Sequence, residues 1–153
     1  MLTQETKQAS EPQTGELLIE RFKAFYKDVK HPQLDKIDDI YANDVLFKDP
    51  VHELRGVEVL HSYLSEMSLN VRNGRFEYLD QIISDGTAYI KWNMHFIHPK
   101  LGPKTITVRG MSQVQFNDRI YFHEDVYDLG QLIYEHVPVL GTVVKGLKKR
   151  LAG

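Results

Sequence analysis

Apolar residues recur along this chain with two different periods, and the change of period divides it. Leu17, Leu18, Phe22, Phe25 and Tyr26 fall at helical spacing between Glu16 and Val29. This predicts a first helix with Thr14 as its N-cap. His31-Pro32 breaks the pattern, because the residue before a proline is driven out of the helical region. Leu34, Ile37, Ile40 and Tyr41 form the stripe of a short second helix, Asp44 to Lys48 a short strand stopped by Asp49-Pro50, and Val57 to Met67 a third helix. From Arg75 onward strands take over. Arg75 to Ser84 leads into Asp85-Gly86, a strong hairpin signal, and Ala88 to His98 forms the next strand. Pro99-Lys100-Leu101-Gly102-Pro103 then turns the chain into Thr105 to Phe116, and Asn117-Asp118 into Arg119 to Asp128. Leu129 to Leu151 reads as mostly helix, interrupted around Pro138 and Gly141. Helices segregated from an antiparallel meander predict an α+β fold with the helices packed on one face of the sheet.

The last two strands carry the most chemistry. Ile106, Val108, Gly110, Ser112, Val114 and Phe116 share one side of their strand, opposite Thr107, Arg109, Gln113 and Gln115. On the final strand His123, Asp125 and Tyr127 share a face, because alternate strand residues point the same way. A strand that served only as core would carry Val or Ile there. An Asp in a half-apolar cavity suits a proton donor or shuttle; the plainer role is a carboxylate paired with Lys91 or Arg109. His123 either orients a ligand and shares a proton with Asp125 or is a satisfied core histidine. Tyr127 reads as a pocket wall with a polar tip. Asp49, before a proline at a strand end, either reaches a pocket or caps a turn.

Composition narrows the classes. The chain has 153 residues, 42% hydrophobic and 26% charged, enough for one domain with a real core. A formal net charge of −2 gives no reason to expect nucleic acid. With no cysteine, disulfides, thiolate metal sites and a Cys nucleophile are excluded, which fits a cytoplasmic protein. No apolar run approaches the roughly 20 residues of a membrane-spanning helix. Residues 1–14 lack the apolar core of a signal peptide and read as a disordered lead-in. The domain is expected over 15–128, with an amphipathic helical extension over 129–153. No phosphate loop and no ligand-spaced cluster is present. Ser112 has no His and Asp at triad spacing. Neither a metal nor a cofactor is expected.

The element order, the Phe47-Lys48-Asp49-Pro50 step and the ending His123-Glu124-Asp125-Val126-Tyr127-Asp128 resemble the NTF2-like superfamily, and within it the SnoaL-like group of polyketide cyclases, ketosteroid isomerases and limonene-epoxide-hydrolase relatives. The resemblance spans Leu17 to Asp128. It implies a cone in which a curved sheet wraps three helices around a pocket, often in a homodimer. It also implies cofactor-independent acid/base chemistry on a small hydrophobic molecule. Residue by residue, Asp49 matches the isomerase base, Phe22 the position of the oxyanion Tyr, and Ser112 the neighbourhood of the oxyanion Asp. Asp125 matches the last-strand Asp of the epoxide hydrolases and the acid/base of the cyclases. The hydrolase Arg-x-Asp pair falls at Lys91-Trp92-Asn93.

Two expectations depend on which face of the strand 88–98 looks inward. Periodicity makes Ile90, Trp92, Met94 and Phe96 the core. The hydrolase match instead turns Lys91, Asn93 and His95 into the pocket, and a second subunit would then have to cover the apolar face. We expect the second arrangement, with Asp125, His123 and Asp49 as catalytic candidates and Asn93, Lys91, His95, Tyr127, Phe47, Phe22 and Ser112 as ligand contacts. The expected partners are a small hydrophobic molecule and a second copy of the chain. The alternative is a non-catalytic binding or association module in the same fold. The tail carries Val139, Leu140, Val143, Val144, Leu147 and Leu151 with Lys145, Lys148, Lys149 and Arg150. It reads as a helix closing one side of the cone, its basic residues favoured by the helix dipole, or less readily as a membrane-surface contact.

Overall fold

The Asp85-Gly86 turn sets the register of half the sheet. Both residues have positive φ, 46° and 75°, the combination that lets a two-residue loop follow the twist of its strands. It joins β3 (Gly74–Ser84) to β4 (Thr87–Phe96), paired from Ser84↔Thr87 back to Gly74↔Phe96. The computed structural model describes residues 14–132 and 140–153. Almost all of the expected lead-in, and the interruption at Pro138, lie outside the described residues.

The remaining elements are α1 (Thr14–Tyr26), a 3-10 turn (Leu34–Lys36) running into α2 (Ile37–Ile40), β1 (Tyr41–Lys48), β2 (Glu53–Arg55), α3 (Val57–Asn70), β5 (Ile106–Phe116), β6 (Ile120–Tyr127), α4 (Leu129–Leu132) and α5 (Leu140–Ala152). The strands form one sheet in the order β2-β1-β6-β5-β4-β3, antiparallel except for the parallel pair β1–β6. The fold is α+β, with a curved, unclosed six-stranded sheet and N-terminal helices, an NTF2-like architecture. Register shifts at Tyr41/Leu46, Tyr78/Asp80 and Gln115/Phe116 insert residues into single strands. Such bulges bend a strand and raise its local twist.

The concave face carries the core. Leu18, Ile19, Phe22 and Phe25 of α1 and Leu60 and Leu64 of α3 pack with Val45, Phe47, Ile90, Trp92 and Val114. α3 buries Val57, Leu60, Leu64 and Ser68 along one stripe, the spacing of a helix lying on a sheet.

Two expectations are corrected here. The expected 34–41 helix is a short 3-10/α turn, and Tyr41 already belongs to β1. More consequentially, Ile90, Trp92 and Phe96 of β4 are buried on the concave face and Lys91 is exposed on the outer one. The helices cover the apolar side of β4, so no second subunit is needed to shield Trp92 and Met94. The outer face carries a different set of exposed apolar residues, Ile82, Tyr89, Met111 and Val126.

α5 leaves Leu140, Val143, Leu147 and Leu151 exposed while burying Gly141, so it does not close the cone with its apolar stripe. It is held to the sheet end by Lys148 Nζ donating to Asp128. That bond holds the Asp128 carboxyl below its usual range. No helix among the described residues is long and apolar enough to cross a membrane.

Gly110 faces Trp92 across β4 and β5, and a Cβ added there would overlap the indole. The strand needs glycine at this point so that the largest ring of the concave face can lie flat against the backbone. Gly110→Ala is expected to destabilise the fold by about 1–3 kcal/mol, the range for overpacking, and to shift Trp92 emission. Urea unfolding followed by fluorescence checks both; unchanged stability and spectrum would mean the indole can move without cost.

Candidate active site

Two helices cannot fill the concave side of a six-stranded sheet, and the remainder is a cavity of about 430 Å³. Tyr26 and Val29 form its wall on the α1 side, and Tyr63, Leu64 and Met67 the wall on α3. The sheet contributes Phe47, Phe76, Trp92, Met94, Phe96, Asp125 and Tyr127, and the rim includes Asp49, His52, Glu66 and His98.

Behind that wall runs a continuous chain of hydrogen bonds. Trp92 Nε1–H donates to Ser112 Oγ at 2.9 Å, and Ser112 Oγ–H donates to Asp125 Oδ1 at 2.5 Å. His123 Nε2 lies 2.7 Å from the same oxygen, and its Nδ1 lies 2.8 Å from the Tyr41 hydroxyl. The Tyr41 hydroxyl is in turn 2.5 Å from that of Tyr26. The donor inventory orders the protons. Indole N–H can only donate and a carboxylate can only accept, so Trp92 donates to Ser112 and His123 donates from Nε2–H to Asp125. Tyr41 joins His123 Nδ1 to Tyr26. The Ser112 and His123 donors both point at Asp125 Oδ1. The hydrogen bonds of the described residues leave Oδ2 unused, and the Asp125 side chain is 18% exposed.

His123 is 1% exposed and boxed by rings. Phe22 and Phe47 meet it edge-on at 5.1 and 4.9 Å, and Tyr41 stacks on it at 6.0 Å. An imidazole so enclosed cannot rotate away from Asp125. Burial pushes the Tyr26 and Tyr41 phenols well above their ordinary range, and the Asp125 charge pushes them further. They remain donors at any physiological pH.

A second acid lies at the rim. Asp49 Oδ1 accepts the backbone N–H groups of Val51 and His52 at 2.8 and 2.6 Å, and the His52 ring at 3.0 Å. Tyr63 O–H donates to Oδ2 at 3.2 Å. The two readings of Asp49 coincide: it caps a turn and it borders the cavity. Burial first, then the Asp49 charge, raises the phenols of both Tyr63 and Tyr127, and Asp125 acts on both as well. The hydroxyl of Tyr127 has no hydrogen-bond partner among the described residues.

The sequence candidates therefore separate into three groups. Asp125, Tyr127, Phe47 and Asp49 border the cavity. His123, Ser112 and Phe22 stand behind it, the first two bonded to Asp125. Lys91, Asn93 and His95 do not reach it. They lie on the outer face, where Asn93 Nδ2 donates to Glu77 at 3.1 Å and His95 Nδ1 meets Thr107 Oγ1 at 2.8 Å. The expected pocket role of these three is corrected by the direction of β4. Sequence reasoning missed Tyr26, Tyr41, His52, Tyr63 and Trp92. Tyr26 offered a signal: it lies one helical turn beyond Phe22 and supplies a hydroxyl where Phe22 has none. Among the described residues no cluster of His, Asp and Glu is placed to hold a metal ion.

The profile of the SnoaL-like domain matches residues 22–123. No curated protein matches the sequence. Solved structures do match in shape. One described as a SnoaL-like polyketide cyclase from Shewanella putrefaciens is 14% identical, with a TM-score of 0.68 over 80% of this chain and 95% of that one. A protein with a ketosteroid isomerase-like fold from Catenulispora acidiphila, solved with trimethylamine, is 12% identical, with a TM-score of 0.67 over 81% of this chain and 92% of its own. An LEH-like epoxide hydrolase of M. tuberculosis is 15% identical, with a TM-score of 0.64 over 78% and 86%. At these identities the likeness is one of fold.

Removing the middle of the relay tests its weight. Tyr41→Phe strands the Tyr26 hydroxyl and His123 Nδ1, and is expected to cost about 1–3 kcal/mol. Because the folded phenol titrates above 10.0, its contribution is intact below pH 10 and is lost as pH rises beyond it, where the unfolded chain sheds the proton first. The variant should therefore show a shallower alkaline decline. Denaturant midpoints from pH 7 to 11 check this; identical curves for both proteins would sink the relay as a stabilising element.

Proposed function

This chain belongs to the SnoaL-like domain family, and on that premise we propose that it is an enzyme doing cofactor-independent acid/base chemistry on a small, largely apolar molecule held in the cavity. The observation that carries this reading is the division of labour at Asp125. Oδ1 is saturated by Ser112 and His123, and Oδ2 has no such partner among the described residues. A carboxylate anchored through one oxygen is fixed in place and can take a proton on the other.

The reaction follows from that geometry. Asp125 Oδ2 would accept a proton from an activated C–H or O–H of the ligand. The negative charge left on the ligand would meet the unpartnered O–H of Tyr127, whose raised pKa keeps it a donor. Returning the proton to another atom gives an isomerisation. Attack by the ligand anion on a carbonyl of the same molecule, with Asp125 returning the proton to the alkoxide formed, gives a cyclisation; a water that loses its proton to Asp125 as it attacks an epoxide carbon, with the proton then passed to the oxygen of the broken C–O bond, gives a hydrolysis. His123 orients Asp125 and does not touch the ligand, since the rings of Phe22, Phe47 and Tyr41 enclose it. Lys91 and Asn93 lie outside the cavity, so an Arg-x-Asp type of water activation has no counterpart at those positions. Proton abstraction and return is the step best supported.

Asp125→Asn keeps an oxygen for Ser112 and His123 but loses the base. Against a panel of enolisable ketones, cyclisable polyketide mimics and epoxides, turnover is expected to fall about 10²- to 10⁴-fold, with ligand affinity, read by Trp92 quenching, changed only a few-fold. Turnover retained by Asp125→Asn would refute the assignment.

We also propose a homodimer through the outer face of the sheet. Met111 and Val126 face each other across β5 and β6, and Ile82 and Tyr89 across β3 and β4 in the row two residues away, all exposed on the outer face. Apolar residues grouped on one exposed sheet face favour self-association. Light scattering should give twice the 17.8 kDa chain mass for the wild type and the single mass for Met111→Glu; a monomeric wild type would end this proposal.

A further inference from the structure

We infer that the ligand of this cavity carries a positive charge, a protonated or quaternary amine set among aromatic rings, with Asp125 as its counter-ion. The inference deepens the enzymatic reading and rests on it for the cavity's role, but it concerns recognition and not turnover.

The charge distribution comes first. The chain as a whole is nearly balanced, with 19 Lys and Arg against 21 Asp and Glu. The cavity is not. Asp49, Glu66 and Asp125 border it, and none of the described residues lining it is Lys or Arg. Its histidines, His52 and His98, lie at the edge. Asp49 and Asp125 line the same cavity. In a partly desolvated space, charges of one sign focus their field. An anionic ligand would be repelled, and a neutral one would leave Asp125 Oδ2 without an electrostatic partner among the described residues.

The rings supply the second observation. Tyr26 and Phe76 meet at 72°, Phe76 and Trp92 at 84°, and Trp92 and Tyr127 at 51°. Rings that join at steep angles make the corner of a box. Phe47 and Tyr63, 5.7 Å apart, line the same cavity. An aromatic box with a carboxylate at its side is the arrangement that attracts an organic cation, through the ring quadrupoles and the charge together. Val29, Leu64, Met67 and Met94 complete the lining and suit the apolar part of such a cation. A metal ion would need oxygen or nitrogen donors in a cluster, which the described residues do not form.

The test uses three molecules of one shape and three charges: choline, 3,3-dimethylbutan-1-ol and 3,3-dimethylbutanoate. Trp92 is the only tryptophan of the chain and lines the cavity, so its fluorescence in the full-length protein reports binding directly. Choline is expected to bind at least about tenfold tighter than the neutral isostere, a difference of roughly 1.4 kcal/mol, with the anion weakest. Asp125→Asn should shrink the preference to within about threefold, given that one charge-assisted contact is lost. If that variant does not fold by circular dichroism, Glu66→Gln at the exposed rim serves instead, lowering choline affinity by about twofold at low salt and less at high salt. Equal or tighter binding of the neutral alcohol, or tighter binding of the carboxylate, overturns the charge assignment and leaves the enzymatic reading standing. Absence of binding by all three overturns the charge assignment as well. Turnover surviving Asp125→Asn overturns the enzymatic reading while the charge preference can persist.

Discussion

One carboxylate oxygen ties this structure together. Asp125 Oδ1 accepts from Ser112 and from His123, and through them connects to Trp92 on β4, Tyr41 on β1 and Tyr26 on α1. The concave side of a bent sheet is where unsatisfied polar groups cost most, and this network leaves none of its members unpaired. Each bond taken singly contributes about 1 kcal/mol net. Their joint effect is geometric: the helix α1, the first strand and the three central strands all have side chains that must converge on one point. Ring packing around His123 acts on the same point. It leaves the imidazole one orientation, and that orientation fixes Asp125.

The same constraint explains why polar residues stand where aliphatic ones would fold as well. Ser112, buried at 4% exposure, exchanges a donor and an acceptor in the space of an alanine. His123 offers two nitrogens on opposite sides, so it can span from Tyr41 to Asp125 as no aliphatic residue can. A fold needing only stability could replace this set with well-packed apolar side chains at little or no loss. Retaining it holds one carboxylate rigidly at the wall of a cavity lined mostly by aromatic and aliphatic side chains.

Most of the fold was legible in the sequence. Period-two alternation in 105–128 marked the strands, Asp85-Gly86 marked the hairpin, and the last strand pointed His123, Asp125 and Tyr127 to one side. The site was legible in part, for two physical reasons. On β4 the alternation was clear and its plain reading, apolar residues inward, describes the structure. Aligning Lys91 and Asn93 with a relative's Arg-x-Asp pair turned the strand by one residue, and a shift of one reverses every side chain. Tyr26 and Tyr41 failed differently. A tyrosine on an apolar stripe looks like core because most of it is; only the hydroxyl is polar, and its partner lies far away in sequence. Tyr41 and His123 are separated by 82 residues, a distance over which spacing says nothing.

The two oxygens of Asp125 also bear on what evolution can change here. Substitutions that disturb Oδ1 act on α1 and four strands at once, so they are felt as instability. Substitutions around Oδ2 act first on the cavity: Tyr127 and Met94 border it without a hydrogen bond in the buried chain, and Tyr127 meets that chain only through its packing on the Trp92 ring. The cavity wall can therefore vary while the acid stays in place. The anchor itself is unaffected by that variation, because Trp92 contributes its ring to the cavity and its N–H to Ser112, joining the variable wall to the fixed relay at a single residue.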